Sequence, residues 1–453
     1  MKSVMVYLTL ATLIVLNCQC KSKQNKSEVR MADGISPNII RVECTGDTSH
    51  SYYIALPEDF DPAENYPLII AFDPKGDGKL AVKSMIGGVT NFGFIVAGSN
   101  VIRNGYENAE YAFNILFTDI QNRYPVNRNR IYAAGFSGGG RYAQILSQVN
   151  TNIKAVISMG AGFSLNPSQP LLNNPPMLFL VGDEDFNYLE IMNSWESLKL
   201  AGLRYYILEF HGKHEWPDPD IINEALLWFE FDDCRRDNSR RNDPVIDKFR
   251  GRIIENADRF IMDHDIYRAG KEYEKGIAFL TGLTNTRSLV NDMNHCKESP
   301  DYKSASEKLN KALILESRLQ KGYISALNLK DTIWWSNEIR KLNQEIDQVE
   351  DPFRLSAYKR VKSFISMAAY SLSNSSLKAN DLTRAQKITG IYQMIDPGNP
   401  DAYYFRALYY LKTGQYQMAM DLFTKAVNTG FSDFQKARQE LPEEIYKSGM
   451  AKE

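Results

Sequence analysis

Residues 131–146 read Ile131-Tyr132-Ala133-Ala134-Gly135-Phe136-Ser137-Gly138-Gly139-Gly140-Arg141-Tyr142-Ala143-Gln144-Ile145-Leu146. An apolar strand runs into Gly135-Phe136-Ser137-Gly138-Gly139 and leaves it as a helix. This is the G-x-S-x-G pattern of a nucleophile elbow, a sharp strand-to-helix turn that holds a serine in a strained conformation at the strand tip. Side chains two residues to either side would collide there, which accounts for Gly135 and Gly139. Ser137 is therefore the candidate nucleophile.

The rest of the first half alternates in the same way, as an α/β sheet requires. Ile39 to Val42 and Ser51 to Leu56 read as opening strands, parted by the turn-rich Thr45-Gly46-Asp47. Pro67 to Phe72 is a continuous apolar run, as a strand buried on both faces would be. Similar runs follow at Phe94 to Ala97, Ile131 to Phe136, Ala155 to Met159, Met177 to Val181 and Tyr205 to Phe210, with helices expected at Tyr111 to Arg123 and Gly140 to Gln148. The expectation is an α/β-hydrolase sheet of about eight strands over residues 37–231. Short linkers between the sixth and seventh strands leave no room for a large inserted lid, so the site is expected to be open at the sheet's C-terminal edge.

A serine hydroxyl needs an adjacent base, itself oriented by a carboxylate. In this fold type they follow in the order Ser, acid, His. His214 falls in the loop Gly212-Lys213-His214-Glu215-Trp216, beyond the last strand, and is the expected general base. His211 prolongs that strand and is read as a partly buried structural residue, while His50, His264 and His295 are read as surface residues. The strand Leu178 to Val181 ends at Gly182-Asp183-Glu184-Asp185; Asp185 is the expected acid and Asp183 the alternative. An oxyanion needs two N–H donors. Gly138 is one; the other is sought in Asp73-Pro74-Lys75-Gly76, where Pro74 has no N–H and Lys75 or Gly76 must supply it. The cleft rim is expected at Arg103 to Asn108, Phe163 to Pro176 and Trp216.

Arg123-Tyr124-Pro125-Val126-Asn127, Arg130-Ile131-Tyr132 and the elbow together resemble the secreted polyhydroxybutyrate depolymerase and feruloyl esterase group of α/β-hydrolases. The resemblance spans roughly residues 40–230 and implies Ser137, Asp185 and His214 as the triad and Lys75 on the oxyanion loop. It also implies hydrolysis of a small ester, or of an acylated carbohydrate or polymer, without a cofactor. Where that group carries His-Gly after the third strand, this chain has Asp73-Pro74. The same three residues would serve a serine peptidase, and an inert hydrolase-fold scaffold is the reading from another class.

The chain as a whole has 453 residues, 53 basic and 55 acidic, with 43% hydrophobic and 24% charged. That length suggests two or three domains. The balanced charge offers no footprint for nucleic acid, and a mean hydropathy of −0.37 argues against a polytopic membrane protein. Lys2 followed by the apolar run Val4 to Leu16 has the form of a signal peptide. Val15-Leu16-Asn17-Cys18 resembles a bacterial lipobox, with Asn17 in place of the usual small residue. Residues 1–20 are thus expected to be a lipoprotein signal and anchor, with Cys18 lipidated and the protein held in the bacterial cell envelope by lipid only. In that setting Cys20, Cys44, Cys234 and Cys296 could pair, and a Cys44–Cys234 bridge is one hypothesis. No Cys or His spacing suggests a metal.

After Phe231 the texture changes. Residues 232–244, Asp232-Asp233-Cys234-Arg235-Arg236 through Pro244, are charge-mixed and read as a solvated linker. Residues 245–453 read as all-helical. Tyr302-x-x-Ala305-x-x-x-Leu309-x-x-Ala312 matches Tyr416-x-x-Ala419-x-x-x-Phe423-x-x-Ala426, Tyr273-x-x-Gly276-x-x-x-Leu280 looks like a degenerate copy, and Ala385 lies 34 residues before Ala419. That period resembles tetratricopeptide repeats, with Pro400 to Gly430 the clearest unit. Such arrays stack into surfaces that bind protein segments, so a protein partner is expected there. Trp334 and Trp335 are read as packing residues.

Overall fold

The computed structural model describes residues 37–164, 173–200 and 202–450. The anchor segment, with Cys18, lies outside the described residues. Eight strands form one sheet: β1 (Ile40–Glu43), β2 (Ser51–Ala55), β3 (Tyr66–Phe72), β4 (Ile95–Ser99), β5 (Val126–Phe136), β6 (Ile153–Met159), β7 (Met177–Gly182) and β8 (Tyr205–Phe210). Their order is β1-β2-β4-β3-β5-β6-β7-β8. β1 pairs antiparallel with β2 and β2 with β4, whereas all pairings from β4 to β8 are parallel. This is the α/β-hydrolase sheet expected from the sequence, followed by a largely helical C-terminal region.

Side chains alternate across a strand, and β3 shows the consequence. Leu68, Ile70 and Phe72 enter one core and Ile69 and Ala71 the other, all fully buried. The first core lies under α3 (Ala109–Arg123), α4 (Gly138–Val149), α5 (Tyr188–Asn193) and α6 (Trp195–Leu200). The second lies under α1 (Gly78–Ser84), α2 (Ile86–Phe92) and α7 (Pro219–Arg236).

The second core does not stop at residue 231. It continues without a break through α8 (Asp243–Met262), α9 (Ile266–Leu280) and α10 (Arg287–Glu298). Phe279 of α9 packs against Trp228 of α7 and Phe249 of α8, each at 5.2 Å between ring centroids. Aromatic pairs of this kind contribute about 0.5–1.5 kcal/mol beyond their buried area. The solvated linker expected at 232–244 is therefore corrected: α7 runs to Arg236, and Asp232, Asp233 and Cys234 are buried. The charges are there to pair. Arg130 of β5 reaches Asp233 at 2.7 Å, and Arg236 reaches Asp232 one helical turn back at 2.9 Å.

A separate third core is built from the later helices: α11 (Pro300–Leu329), α12 (Thr332–Gln348), α13 (Pro352–Lys378), α14 (Leu382–Ile395), α15 (Pro400–Lys412), α16 (Tyr416–Asn428), α17 (Phe434–Glu440) and α18 (Glu443–Met450). Ser299-Pro300, Asp351-Pro352 and Asn399-Pro400 open three of them. In each, the cap side chain accepts a first-turn N–H and proline takes the position whose N–H has no partner. α11 has 30 residues, about 45 Å, and spans from the sheet's cores to this one. The Tyr302 copy of the repeat pattern lies inside that single helix, with no turn. The Pro400–Gly430 unit is a helical hairpin, α15 and α16, closed by Gly414 at φ 74° and packed on Ala407, Ala419, Phe423 and Ala426. Trp335 is fully buried within the third core.

Cys44, Cys234 and Cys296 are free thiols. Cys44 belongs to the core on one side of the sheet and Cys234 to the core on the other, so the bridge between them is corrected: the sheet separates them. No described helix is long and apolar enough to cross a membrane.

Candidate active site

β5 carries Ser137 to the C-terminal edge of the sheet and α4 starts immediately after it. Ser137 has φ 52° and ψ −121°, left-handed backbone that a residue with a side chain rarely adopts. A Cβ added at Gly135 would run into the backbone of Gly139, and one added at Gly139 into the carbonyl of Phe72 on β3. The turn closes only with glycine at both places.

Two further loops converge on Ser137. His214 follows β8, and its Nε2 lies 2.9 Å from Ser137 Oγ. Asp185 follows β7, and its Oδ1 lies 2.8 Å from His214 Nδ1. An ionised carboxylate only accepts, so the proton between them sits on Nδ1 and Nε2 is left to accept from the serine hydroxyl. Asp185 is 2% exposed and the His214 side chain 14%. The rings of Phe136 and Phe186 flank the imidazole, at 4.7 and 4.0 Å between centroids. Water is thereby kept from most of the pair, which strengthens their hydrogen bond.

Asp183 has another partner. Its carboxylate accepts from the Gly212 N–H at 3.1 Å and pairs with His211 Nδ1 at 3.0 Å, tying the β7 loop to the β8 loop. That bond to Asp183 raises the His211 pKa. The reading of His211 as partly buried is corrected, since its side chain is 86% exposed. His50, read as a surface residue, is buried beside Ser49, Tyr106 and Asp47. His264 and His295 are exposed.

The loop after β3, where an oxyanion donor was sought, also differs from expectation. The Lys75 N–H donates to Asp73 Oδ1 at 2.8 Å, and the Gly76 N–H donates to the Asp73 carbonyl at 3.0 Å. Trp216 Nε1 donates to the other Asp73 oxygen at 3.1 Å. An aspartate at this place takes up the loop's own donors, so Lys75 is corrected: its amide is committed before any substrate arrives. Gly138 opens α4, and as a first-turn residue its N–H has no intrahelical acceptor. The side chain of Asn104 lies against it, for a Cβ on Gly138 would run into the Asn104 Oδ1, with Nδ2 on the far side. The Asn104 main chain is pinned by its N–H to the Pro74 carbonyl at 2.9 Å, and its side chain is exposed. Sequence reasoning had put Asn104 only on the rim, within Arg103 to Asn108. Of the other expected rim, residues 165–172 lie outside the described residues, while Trp216 packs on Phe136 at 5.6 Å.

The helical region stands beside this edge, on the loop after β7. Lys359 of α13 donates to Glu184 at 2.6 Å, and Arg360 donates to the Asp183 carbonyl at 2.6 Å. On α15, burial pushes the Asp401 carboxyl above its ordinary range, with Lys436 and then Lys75 pulling the other way.

No family model matches this sequence, and no curated protein matches it. Among solved structures the chain is similar to S-formylglutathione hydrolase (FrmB) from Staphylococcus aureus, at 15% identity over 43% of this chain and 98% of that one, with a TM-score of 0.36. It is also similar to the CE1 ferulic acid esterase of the anaerobic fungus Anaeromyces mucronatus, at 14% identity over 41% of this chain and 87% of that one, with a TM-score of 0.34. The acylaminoacyl peptidase of Pyrococcus horikoshii aligns at 17% identity over 44% of this chain and 41% of that one, with a TM-score of 0.31.

Proposed function

We propose that this protein is a serine hydrolase that cleaves carboxylic esters. The observation that carries the reading is the unbroken chain from Ser137 Oγ through His214 to Asp185, at 2.9 and 2.8 Å, with the serine held at positive φ. Ser137 attacks the ester carbonyl while His214 Nε2 takes its proton, and Asp185 holds the imidazole and balances its charge. The tetrahedral oxyanion accepts from the Gly138 N–H and, once the Asn104 side chain turns its Nδ2 rather than its Oδ1 toward Gly138, from that amide N–H. His214 returns the proton to the leaving alkoxide. A water, deprotonated in the same way, then releases the acyl group. The substrate is a small ester or an acylated carbohydrate or polymer. Lipidation at Cys18 would hold the enzyme in the bacterial cell envelope, and the tetratricopeptide-like hairpin of α15 and α16 would receive a protein segment.

A fluorophosphonate probe tests the core of this. It should label the full chain on Ser137 and leave Ser137→Ala unlabelled. Absence of labelling, or equal labelling of the two, would show the fold to be an inert scaffold. Comparing kcat/KM on aryl esters and on peptide amides then separates an esterase from a peptidase.

A further inference from the structure

A cavity of about 800 Å³ lies between the edge strand β8 and helices α9, α11 and α13. That is within the range of about 300–1,000 Å³ typical of small-molecule sites. Its wall includes none of Ser137, Asp185 and His214, but it does include Asp183 and His211, two and three residues before the last two. Arg360, which holds the Asp183 carbonyl, lines it as well.

The chemistry of the wall limits the occupant. Each cationic side chain on it already has an acidic partner: Lys271 has Glu209 at 3.1 Å, Lys275 has Glu272 at 2.9 Å and Arg268 has Asp265 at 3.3 Å. His211 has Asp183 at 3.0 Å, and Arg360 has Glu316 at 2.6 Å. An ionic ligand would have to break one of these pairs. A long acyl chain would strip water from all of them with nothing in return. Between the pairs stand aromatic side chains, Tyr206, Tyr267 and Phe353 among them, with Tyr267 and Phe353 meeting edge to face at 5.6 Å. The hydroxyls of Tyr206 and Tyr267 have no hydrogen-bond partner among the described residues. Rings to stack on, paired charges with spare lone pairs and N–H groups, and two free phenols suit one kind of molecule. It has apolar ring faces, many hydroxyls and no charge.

We propose that the cavity between β8 and the helical region binds a short neutral carbohydrate chain. The sugar could be the chain that bears the scissile ester, continuing away from Ser137 past the Asp183–His211 pair, or a separate sugar whose binding is felt through the Asp183 loop.

The test uses the full chain carrying Ser137→Ala, so that binding is read without turnover and stands or falls independently of the hydrolase reading. Cellotetraose, xylotetraose and mannotetraose are titrated by calorimetry, with tetragalacturonate as the charged control. At least one neutral tetrasaccharide should saturate with Kd of about 1 mM or tighter and the charged one should bind more weakly. Tyr206→Phe with Tyr267→Phe keeps both rings, and it should weaken binding by at least about fivefold; Phe353→Ala should weaken it further. The proposal is overturned if no neutral tetrasaccharide saturates at about 10 mM, if tetragalacturonate binds tighter, or if the double variant binds like its parent. With Ser137 restored, the two sources separate. The substrate's own chain competes with acylated tetrasaccharide and leaves aryl acetate hydrolysis unchanged, whereas a separate sugar shifts kcat on aryl acetate.

Discussion

The Lys359 ammonium on α13 lies 2.6 Å from the Glu184 carboxylate, 175 residues earlier in the chain and one residue before Asp185. The next residue, Arg360, is 2% exposed and bonds both Glu316, at 2.9 and 2.6 Å, and the Asp183 carbonyl. The helical region therefore grips the loop that carries the candidate acid.

Arg360→Met should destabilise the protein by about 3–5 kcal/mol, because it leaves Glu316 buried without a cationic partner, with only the Gln320 amide still donating to it. Arg360→Met with Glu316→Leu should recover that stability, since an apolar pair of similar volume fills the space. Its kcat should still fall by roughly ten- to a hundredfold, because the Asp183 carbonyl loses its donor and the acid loop shifts. Urea unfolding and aryl ester kinetics on the same samples check both halves; a double variant with full kcat would reduce the contact to mere packing.

Asp185→Asn should lower kcat by about 10⁴-fold, as the amide no longer fixes the imidazole tautomer. Asp183→Asn should cost less than about tenfold, since its work is to tie two loops together. Steady-state kinetics on one aryl ester distinguishes them, and a reversed order would move the acid's role to Asp183.

Asn104→Ala should reduce kcat by roughly a hundred- to a thousandfold with KM little changed, the mark of a donor used in the transition state alone. An unchanged kcat would leave the oxyanion to Gly138 and solvent.

Asp119 on α3 supplies a pH-dependent prediction. Burial pushes its carboxyl up, but hydrogen bonds from the Thr45 N–H and hydroxyl, Tyr52 and Arg123 outweigh it, and the net pKa lies below the ordinary 3.8. A depressed acid stabilises the fold above its unfolded pKa and loses that contribution as pH falls through its folded one. Asp119→Asn should therefore cost about 2–3 kcal/mol at neutral pH. The gap to the parent should close as pH falls below about 4. Urea unfolding at both pH values reads it, and a gap independent of pH would refute the ionic account.

Much of the sheet was legible because its strands are covered on both faces. Such strands must be apolar at nearly every position, so Pro67 to Phe72 announces itself as a run. The elbow was legible because backbone strain leaves no choice but glycine at 135 and 139. Charge was what misled. Asp232-Asp233 and Arg235-Arg236 look solvated in one dimension, yet the acids sit on a buried helix face opposite Arg130. His50 likewise lies within the fold for reasons that its neighbours in sequence do not carry.

Local demands are written in the residues that meet them, and here they were enough to determine the α/β sheet, the turn at Ser137 and the loops that bear His214 and Asp185. Which carboxylate meets the imidazole, and that Asp73 consumes the Lys75 amide, depend on angles between loops. That Cys44 and Cys234 face opposite cores, and that α13 clasps the acid loop, depend on packing between residues far apart in the chain. Such contacts have no period or spacing of their own, because they arise only where separately folded surfaces meet. Tertiary structure alone decided them.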